Sequence, residues 1–581
     1  MLFFEILSSL SLWPFAKATA QTCKAVPGTA LWPSAAAWTS LNRTLSGALI
    51  KSIPPGGVCH PGWPNYNRNS SCAEVQKLWL TSWAFHSDDP VGNGYNNWNN
   101  DSCLPSPLVP CTDLGYPVYV VNATKSEHVQ AGVNFARDHN VRLIVKTSGH
   151  DFRGRSVAPY SLSIWTHNLL GLSYHAKFEP SGGRCDCGDN WLSAYNGPAI
   201  KMAAGENHGA AFDFANKHGL MIHVAGARTV GLGGYITGGG HSLISFQKGL
   251  AADSILELTV VLPSGDIVTA NACKNPDLFW ALRGGGGSTV GVVLDFTTRA
   301  WQSESVADYA FGFGSPTFND DRFWEAMGYM AGLFPSLIEA GIMTYSNIYP
   351  ANGTTSPTLL NANMQAPNMS AARMGAILEP IAKYINATFA PDVIAEIFPG
   401  GEKASYYEWW QANQDTTTPV GVDAVISSRL LDAKALKSPQ FKTLARKAMG
   451  GGGIQINVVG GPGTHAFPSD WNAVTPAWRT SYAHTLTGVY VPPYDPAEDA
   501  AQIFNITYNL SAALRELAPD TGSYLNEANS YEPDFQDAFW GSNYPRLLEI
   551  KRKVDPGDVF WCLGCAGSER WQAIGEKLCR V

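Results

Sequence analysis

One stretch constrains this chain more than any other: residues 141–156, VRLIVKTSGHDFRGRS. Four of its first five residues are apolar and three of those are β-branched, the pattern of a short buried strand. The strand ends abruptly in Thr147-Ser148-Gly149-His150 and runs on through Arg153-Gly154-Arg155-Ser156. Glycine and small hydroxyl residues let a backbone turn sharply and expose its N–H groups. With two arginines nearby, the turn is suited to cradling an anion. A single histidine, His150, sits in its middle. A surface turn with an incidental histidine fits these residues equally well, so the rest of the chain has to decide.

The surrounding pattern is that of alternating strands and helices. Residues 118–121 read as a strand, and Thr124 with Glu127 reads as a capping box. Val129, Val133 and Ala136 then share a helical face that ends near His139-Asn140. Residues 199–203 and 220–224 read as strands around a helix at 206–218, which Gly219 closes. Residues 226–242, GARTVGLGGYITGGGHS, carry enough glycine to bring backbone against a ligand. The spacing is not that of a dinucleotide fingerprint, and no Gly-Lys-Ser/Thr makes it a P-loop. Residues 255–262 and 266–270 form a hairpin around Pro263-Ser264-Gly265. The glycine run 284–287 lies between an amphipathic turn and a Val-rich strand, where it reads as a ligand-facing bend. Beyond Trp301, residues 323–334 and 371–385 read as helices, and 341–349, 420–430 and 454–459 as strands. On the last of these Gln455 and Asn457 share one face. Residues 539–560 read as a short helix stopped by Asp555-Pro556.

At 581 residues the chain is long enough for more than one core. Its net charge of -8 excludes a basic nucleic-acid footprint. Residues 1–20 read as a secretory signal, with an apolar segment before Ala18-Thr19-Ala20 although no basic residue opens it. No later stretch is long and apolar enough to span a bilayer, so no membrane association is expected. Most of the 11 cysteines crowd the two ends. Sequons stand at Asn42, Asn69, Asn100, Asn122, Asn352, Asn368, Asn386, Asn505 and Asn509. Both features predict a secreted protein with N-linked glycans and a disulfide-tied, irregular segment over residues 21–110. The odd cysteine count leaves a thiol unpaired, and Cys273 is the candidate. No metal-ligand pattern stands out, and Cys562-Leu563-Gly564-Cys565 is assigned to disulfides.

Several segments together resemble a known family. They are Lys146-Thr147-Ser148-Gly149-His150-Asp151-Phe152, the glycine loop from Thr229 to Ser242, Leu278-Phe279-Trp280-Ala281-Leu282-Arg283-Gly284 with Gly291-Val292-Val293, and Asn543-Tyr544-Pro545-Arg546-Leu547 with Lys551 and Asp555-Pro556. In that order they resemble fungal FAD-linked oxidases of the vanillyl-alcohol-oxidase superfamily, in the berberine-bridge-enzyme-like branch. The resemblance covers most of the chain after Cys111 and is weakest across 304–520. It implies an α+β fold with a two-subdomain PCMH-type FAD-binding domain at 111–303. An α/β substrate domain with a central antiparallel sheet would follow at 304–520, and residues 521–581 would return to the FAD domain.

By position in the family motif, His150 would carry the 8α link to the flavin, and the loop with Ser148, Gly149 and Ser156 would hold the pyrophosphate, with Lys146 among the cofactor contacts. Thr229, Gly231, Gly238, Gly239, Gly240, His241, Ser242 and Ile255 would line the cofactor. Gly291, Val292 and Val293 would contact it near the adenine, and Asn543 would touch the flavin. Many relatives form a second link through a cysteine where this chain has Ala227. A single link and a substrate other than an oligosaccharide are therefore expected. Gly226 stands where relatives gate oxygen, and its small size favours an oxidase. Tyr524, Asn526 and Glu527 fall where ring-facing residues lie, and Tyr524, Asn526, Gln455 and Asn457 are the catalytic candidates. His208, His484, Tyr406, Tyr407, Trp409 and Trp410 read as packing residues, and a structural role suits His241 as well. The implied activity is hydride transfer from a small alcohol, phenolic or alkaloid-type molecule to covalent FAD, reoxidised by O2 with release of H2O2. A flavin dehydrogenase, an oxidative cyclase of secondary metabolism and a flavin-bearing binding protein with little turnover are the alternatives.

Overall fold

The computed structural model describes residues 22–66, 70–185, 192, 194–353, 355–416 and 418–581. The expected signal segment, the sequon at Asn69 and Cys187 lie outside them. Three sheets position the site. The first runs in the order Leu49–Lys51, Tyr119–Asn122, Ser161–Trp165, Arg142–Lys146, with the last three strands parallel. Ser161–Trp165 is buried along its whole length, as a central parallel strand should be. The turn that follows Arg142–Lys146 is the one carrying His150. The second sheet is antiparallel, in the order Leu172–His175, Ala199–Ala203, Val292–Arg299, Ile255–Val261, Ile267–Asn271. The expected hairpin at Pro263-Ser264-Gly265 joins its last two strands.

The third sheet has seven strands, all antiparallel. Their order is Ile394–Lys403, Val306–Gly314, Leu359–Pro367, Met343–Tyr349, Ile454–Val458, Ser481–Tyr490, Ala424–Asp432. The period of two divides its side chains. Ile348, Leu360, Ala362, Met364 and Ile456 share a buried cluster with Phe323, Trp324, Met327 and Met330 of the helix Asp320–Glu339. The intervening residues form a polar face. There, Asn363 pairs with Tyr345, Tyr345 with Asn457, and Asn457 with His484, in one row across four strands.

Several local expectations change. Thr124 and Glu127 do not make a capping box: the helix Ser126–Asp138 starts from Lys125 without a side-chain cap, and the Thr124 hydroxyl turns to the His128 ring. The next helix is His208–Asn216. Asn207 caps it by accepting from the Ala210 N–H, while the Glu206 carboxylate goes to the Gly171 N–H. The strand expected at 220–224 is only Leu220–Met221. Beyond it the His223 ring bonds the hydroxyls of Ser242 and Ser254, drawing the chain toward the glycine loop.

Among the described residues five disulfides are formed: Cys23–Cys579, Cys59–Cys72, Cys103–Cys111, Cys185–Cys273 and Cys562–Cys565. Cys273 is therefore not the free thiol. Its partner lies 88 residues away in the sequence, a pairing that spacing cannot reveal. Among the described residues no helix is long and apolar enough to cross a membrane.

Candidate functional site

A cavity of about 820 Å³ opens between the His150 turn, the glycine loop and the polar face of the large sheet. Two loops meet at its floor through Ser148, whose hydroxyl accepts from the Gly231 N–H at 3.0 Å. That approach demands glycine: a Cβ on Gly231 would stand 2.6 Å from the Thr147 side chain. Gly149 has a φ of +83°, and a Cβ there would meet the Gly92 carbonyl at 2.9 Å. Asp151 holds Arg155 through a 2.6 Å ion pair, and Arg155 reaches the Asn526 carbonyl at 3.3 Å. The second arginine of the turn faces elsewhere. Arg153 is buried and donates to the carbonyls of Leu563 and Gly564, tying the turn to the C-terminal segment.

His150 lies at the cavity wall with its ring stacked on Trp83, centroids 3.6 Å apart and planes 14° off parallel. Its Nε2 is 2.7 Å from the Thr229 hydroxyl. The ring is accessible from the cavity yet deep in the molecule, and burial pushes its pKa down to about 3. It is neutral at any ordinary pH, with Nδ1 left as the nitrogen not engaged by Thr229.

Of the expected residues, Ser148, Gly149, His150, Ser156, Gly231, His241, Gly291, Val292, Val293, Gln455, Asn457, Tyr524 and Asn526 line this one cavity. The others support it from behind. Lys146 is buried and donates to the carbonyls of Ser87 and Asp89, and burial pushes its pKa down to about 7. Thr229 acts through His150. Gly238 abuts the Asn526 side chain, and the Gly240 N–H donates to the Tyr524 hydroxyl. Gly239 backs onto the Tyr524 ring. Ser242 is occupied by His223, and Ile255 is buried at the start of its strand. The Asn543 amide donates to the carbonyls of Ser469, Asn472 and Val474, so it braces a loop.

Other wall residues fall outside the catalytic and cofactor-contact candidates. Tyr406, Trp409 and Trp410, expected to pack, form an aromatic wall, and Ala225, Gly226 and Ala227 lie beside them. Tyr345, Asn347 and Tyr349 alternate along Met343–Tyr349 as Gln455 and Asn457 do along their strand, so their signal was present in the pattern. Trp83, stacked on His150, has no such signal, because it comes from a segment without periodicity.

Three ionisable groups converge from different segments, His241 and Glu527 at the cavity wall and His484 buried beside them. Glu527 Oε1 is 3.5 Å from His241 Nε2, and its Oε2 is 3.5 Å from His484 Nδ1. The Tyr345 hydroxyl is 3.4 Å from His241 Nδ1. Burial pushes His484 down to about 3, so that imidazole is neutral too.

Comparison with known proteins identifies the family. A model of the FAD binding domain matches residues 117–271, and a model described as berberine and berberine like matches residues 523–562. The VAO-type flavoprotein oxidase VAO615 of Thermothelomyces thermophilus is 32% identical, over 96% of this chain and 96% of its own. The bifunctional decalin synthase calF of Penicillium decumbens is 30% identical over the full length of both. The solved structure of the VAO-type flavoprotein MtVAO713 from Myceliophthora thermophila C1 superposes with a TM-score of 0.88 at 28% identity. It covers 97% of this chain and all of that one.

The residues present fit an FAD. The cavity wall is glycine backbone at Gly231, Gly233, Gly234, Gly286, Gly287 and Gly291, and the Arg155 Nη1 at the wall has no hydrogen-bond partner. A neutral imidazole stands at the same wall.

Proposed function

Since the chain belongs to the berberine-bridge-like branch of the VAO-type FAD-linked oxidoreductases, we propose that it is a secreted oxidase of small alcohols, phenolics or alkaloid-type molecules. Its FAD would be held by one covalent bond, through His150, and O2 would be the final acceptor, giving H2O2. The observation that carries this reading is the state of His150: neutral, at the cavity wall, with Nε2 taken by Thr229 and Nδ1 left to form a bond.

FAD bound there supplies the hydride acceptor. The chain's own residues bind, orient and exclude water. Ala227 brings only a methyl group to the wall, so no thioether can form there as a second link. Tyr406, Trp409 and Trp410 offer aromatic faces to a flat apolar substrate. Gln455, Asn457, Tyr524 and Asn526 can hydrogen-bond its hydroxyl or amine and fix its orientation. The Tyr524 hydroxyl accepts from the Gly240 N–H and the Asn526 amide, and burial pushes its pKa up, so it stays protonated and has its own proton to donate.

An oxidative cyclase or dehydrogenase of secondary metabolism is the second reading, favoured by the full-length similarity to a decalin synthase. Two measurements test the proposal. Flavin colour should remain with the acid-precipitated wild-type chain and be released from His150→Ala; retention in the variant sinks the assignment. H2O2 release on a panel of aromatic alcohols and phenols is expected. Photoreduced flavin that O2 fails to reoxidise would exclude an oxidase.

A further inference from the structure

The cluster of His241, His484 and Glu527 has no role in the reading above. His241 follows the glycine helix Leu232–Gly238, Glu527 ends the short turn Leu525–Glu527, and His484 lies on Ser481–Tyr490. They bring one ligand-type atom each to within 4.8 Å of one another. Short hydrogen bonds do not account for this convergence. Protein hydrogen bonds to nitrogen span about 2.7–3.2 Å, whereas both histidine–glutamate contacts are 3.5 Å. His484 is fully buried, and neither of its ring nitrogens makes a hydrogen bond of ordinary length; Nδ1 faces the Glu527 carboxylate at 3.5 Å.

Metal coordination does account for it. Imidazole and carboxylate bind Zn²⁺ at about 2.0–2.1 Å, which in a tetrahedron puts neighbouring ligand atoms roughly 3.3–3.4 Å apart. The observed 3.5 Å separations, one imidazole to each oxygen of the Glu527 carboxylate, are close to that polyhedron edge. Two imidazoles and one carboxylate with a fourth position open is also the donor set of zinc sites that accept an external ligand. Tyr345 stands against the second nitrogen of His241, where an outer-shell partner would set the tautomer.

We propose that His241, His484 and Glu527 form a divalent-cation site of zinc type whose open position faces the cavity. The cation would take water or an oxygen donor of a bound molecule there. Sequence reading missed the site because its three ligands lie far apart in the chain, outside any ligand-spacing motif.

The test does not need a substrate, so it succeeds or fails independently of the proposed oxidase activity. Full-length, flavin-loaded protein is stripped with a chelator and titrated with Zn²⁺ by calorimetry, while the visible flavin absorption is followed. One equivalent should bind to wild type and perturb the flavin spectrum. Glu527→Gln should bind more than tenfold more weakly. His484→Gln should do the same, and His241→Gln replaces it if loss of the buried ring prevents folding. Unchanged flavin content and Tm show that the loss is local. No binding by wild type up to millimolar zinc, or equal affinity in wild type and Glu527→Gln, overturns the proposal.

Discussion

His150 shows how much a single side chain depends on its neighbours. Its turn is readable from glycine and hydroxyl residues alone, but its chemistry is set by Trp83 and Thr229, 67 and 79 residues away in the chain. Stacking on Trp83 fixes the ring plane, and Thr229 fixes which nitrogen is left. Thr229→Val keeps the shape and removes the hydroxyl. A lost hydrogen bond to a buried group costs about 1–3 kcal/mol, so flavin attachment should slow by about ten- to a hundredfold. The fraction of flavin retained after acid precipitation of freshly loaded protein measures this, and an unchanged rate would mean that Thr229 does not orient the ring. Arg153 and Arg155 teach the same lesson from the other side. They are two residues apart in one turn, yet Arg155 lines the cavity and Arg153 anchors the C-terminal segment.

At the scale of elements, the polar face of the large sheet is where periodicity carried furthest. Gln455 and Asn457 were legible because isoleucines alternate with them. Tyr345, Asn347 and Tyr349 obey the same rule, and only the strand register brings Tyr345, Asn457 and His484 into one row. A slip of one residue would turn that row to the opposite face. The helix Tyr544–Val554 supports the site differently. Its buried Lys551 donates to the carbonyls of Thr289 and Phe560 and pairs with Asp555 at 2.6 Å. Thr289 follows the glycine bend whose Gly286 and Gly287 line the cavity, so the helix holds that bend in place. Lys551→Met leaves the Asp555 carboxylate buried without its cation. The expected loss is about 3–5 kcal/mol, together with a lower flavin content. Denaturant unfolding and the flavin-to-protein absorbance ratio report both, and a variant of wild-type stability would show that the helix is held by packing alone.

At the scale of the whole molecule, the irregular N-terminal segment is joined to the large sheet through two buried carboxylates. The side chains of Asp101 and Asp423 meet within hydrogen-bonding reach. Asp101 also accepts from the Tyr494 N–H. Burial, and then Asp101 beside it, push the Asp423 carboxyl up to about 8. A folded-state pKa raised above the unfolded value of 3.8 contributes stability that is complete below that value and is lost as pH rises through about 8. Wild-type Tm should therefore fall between weakly acidic pH and pH about 8. Asp423→Asn supplies the donor without the charge. It should flatten that dependence and raise Tm by several degrees at the alkaline end, leaving it little changed near pH 4. Parallel melting curves across the range decide the matter, and identical slopes for the two proteins would refute the shared-proton account.

The sequence by itself determined the elements whose cause is local. These are the strand–turn at 141–156, the glycine loops that allow backbone to approach a ligand, the alternation on the sheet and the family to which those motifs belong. It could not determine which distant residues meet. Trp83 against His150, Cys185 with Cys273, and His241 with His484 and Glu527 are contacts between segments that carry no mark of one another. A turn needs glycine wherever it lies, so its requirement is written at that position. A contact between segments exists only once the sheets have packed and their register is set, so only the tertiary structure decided it.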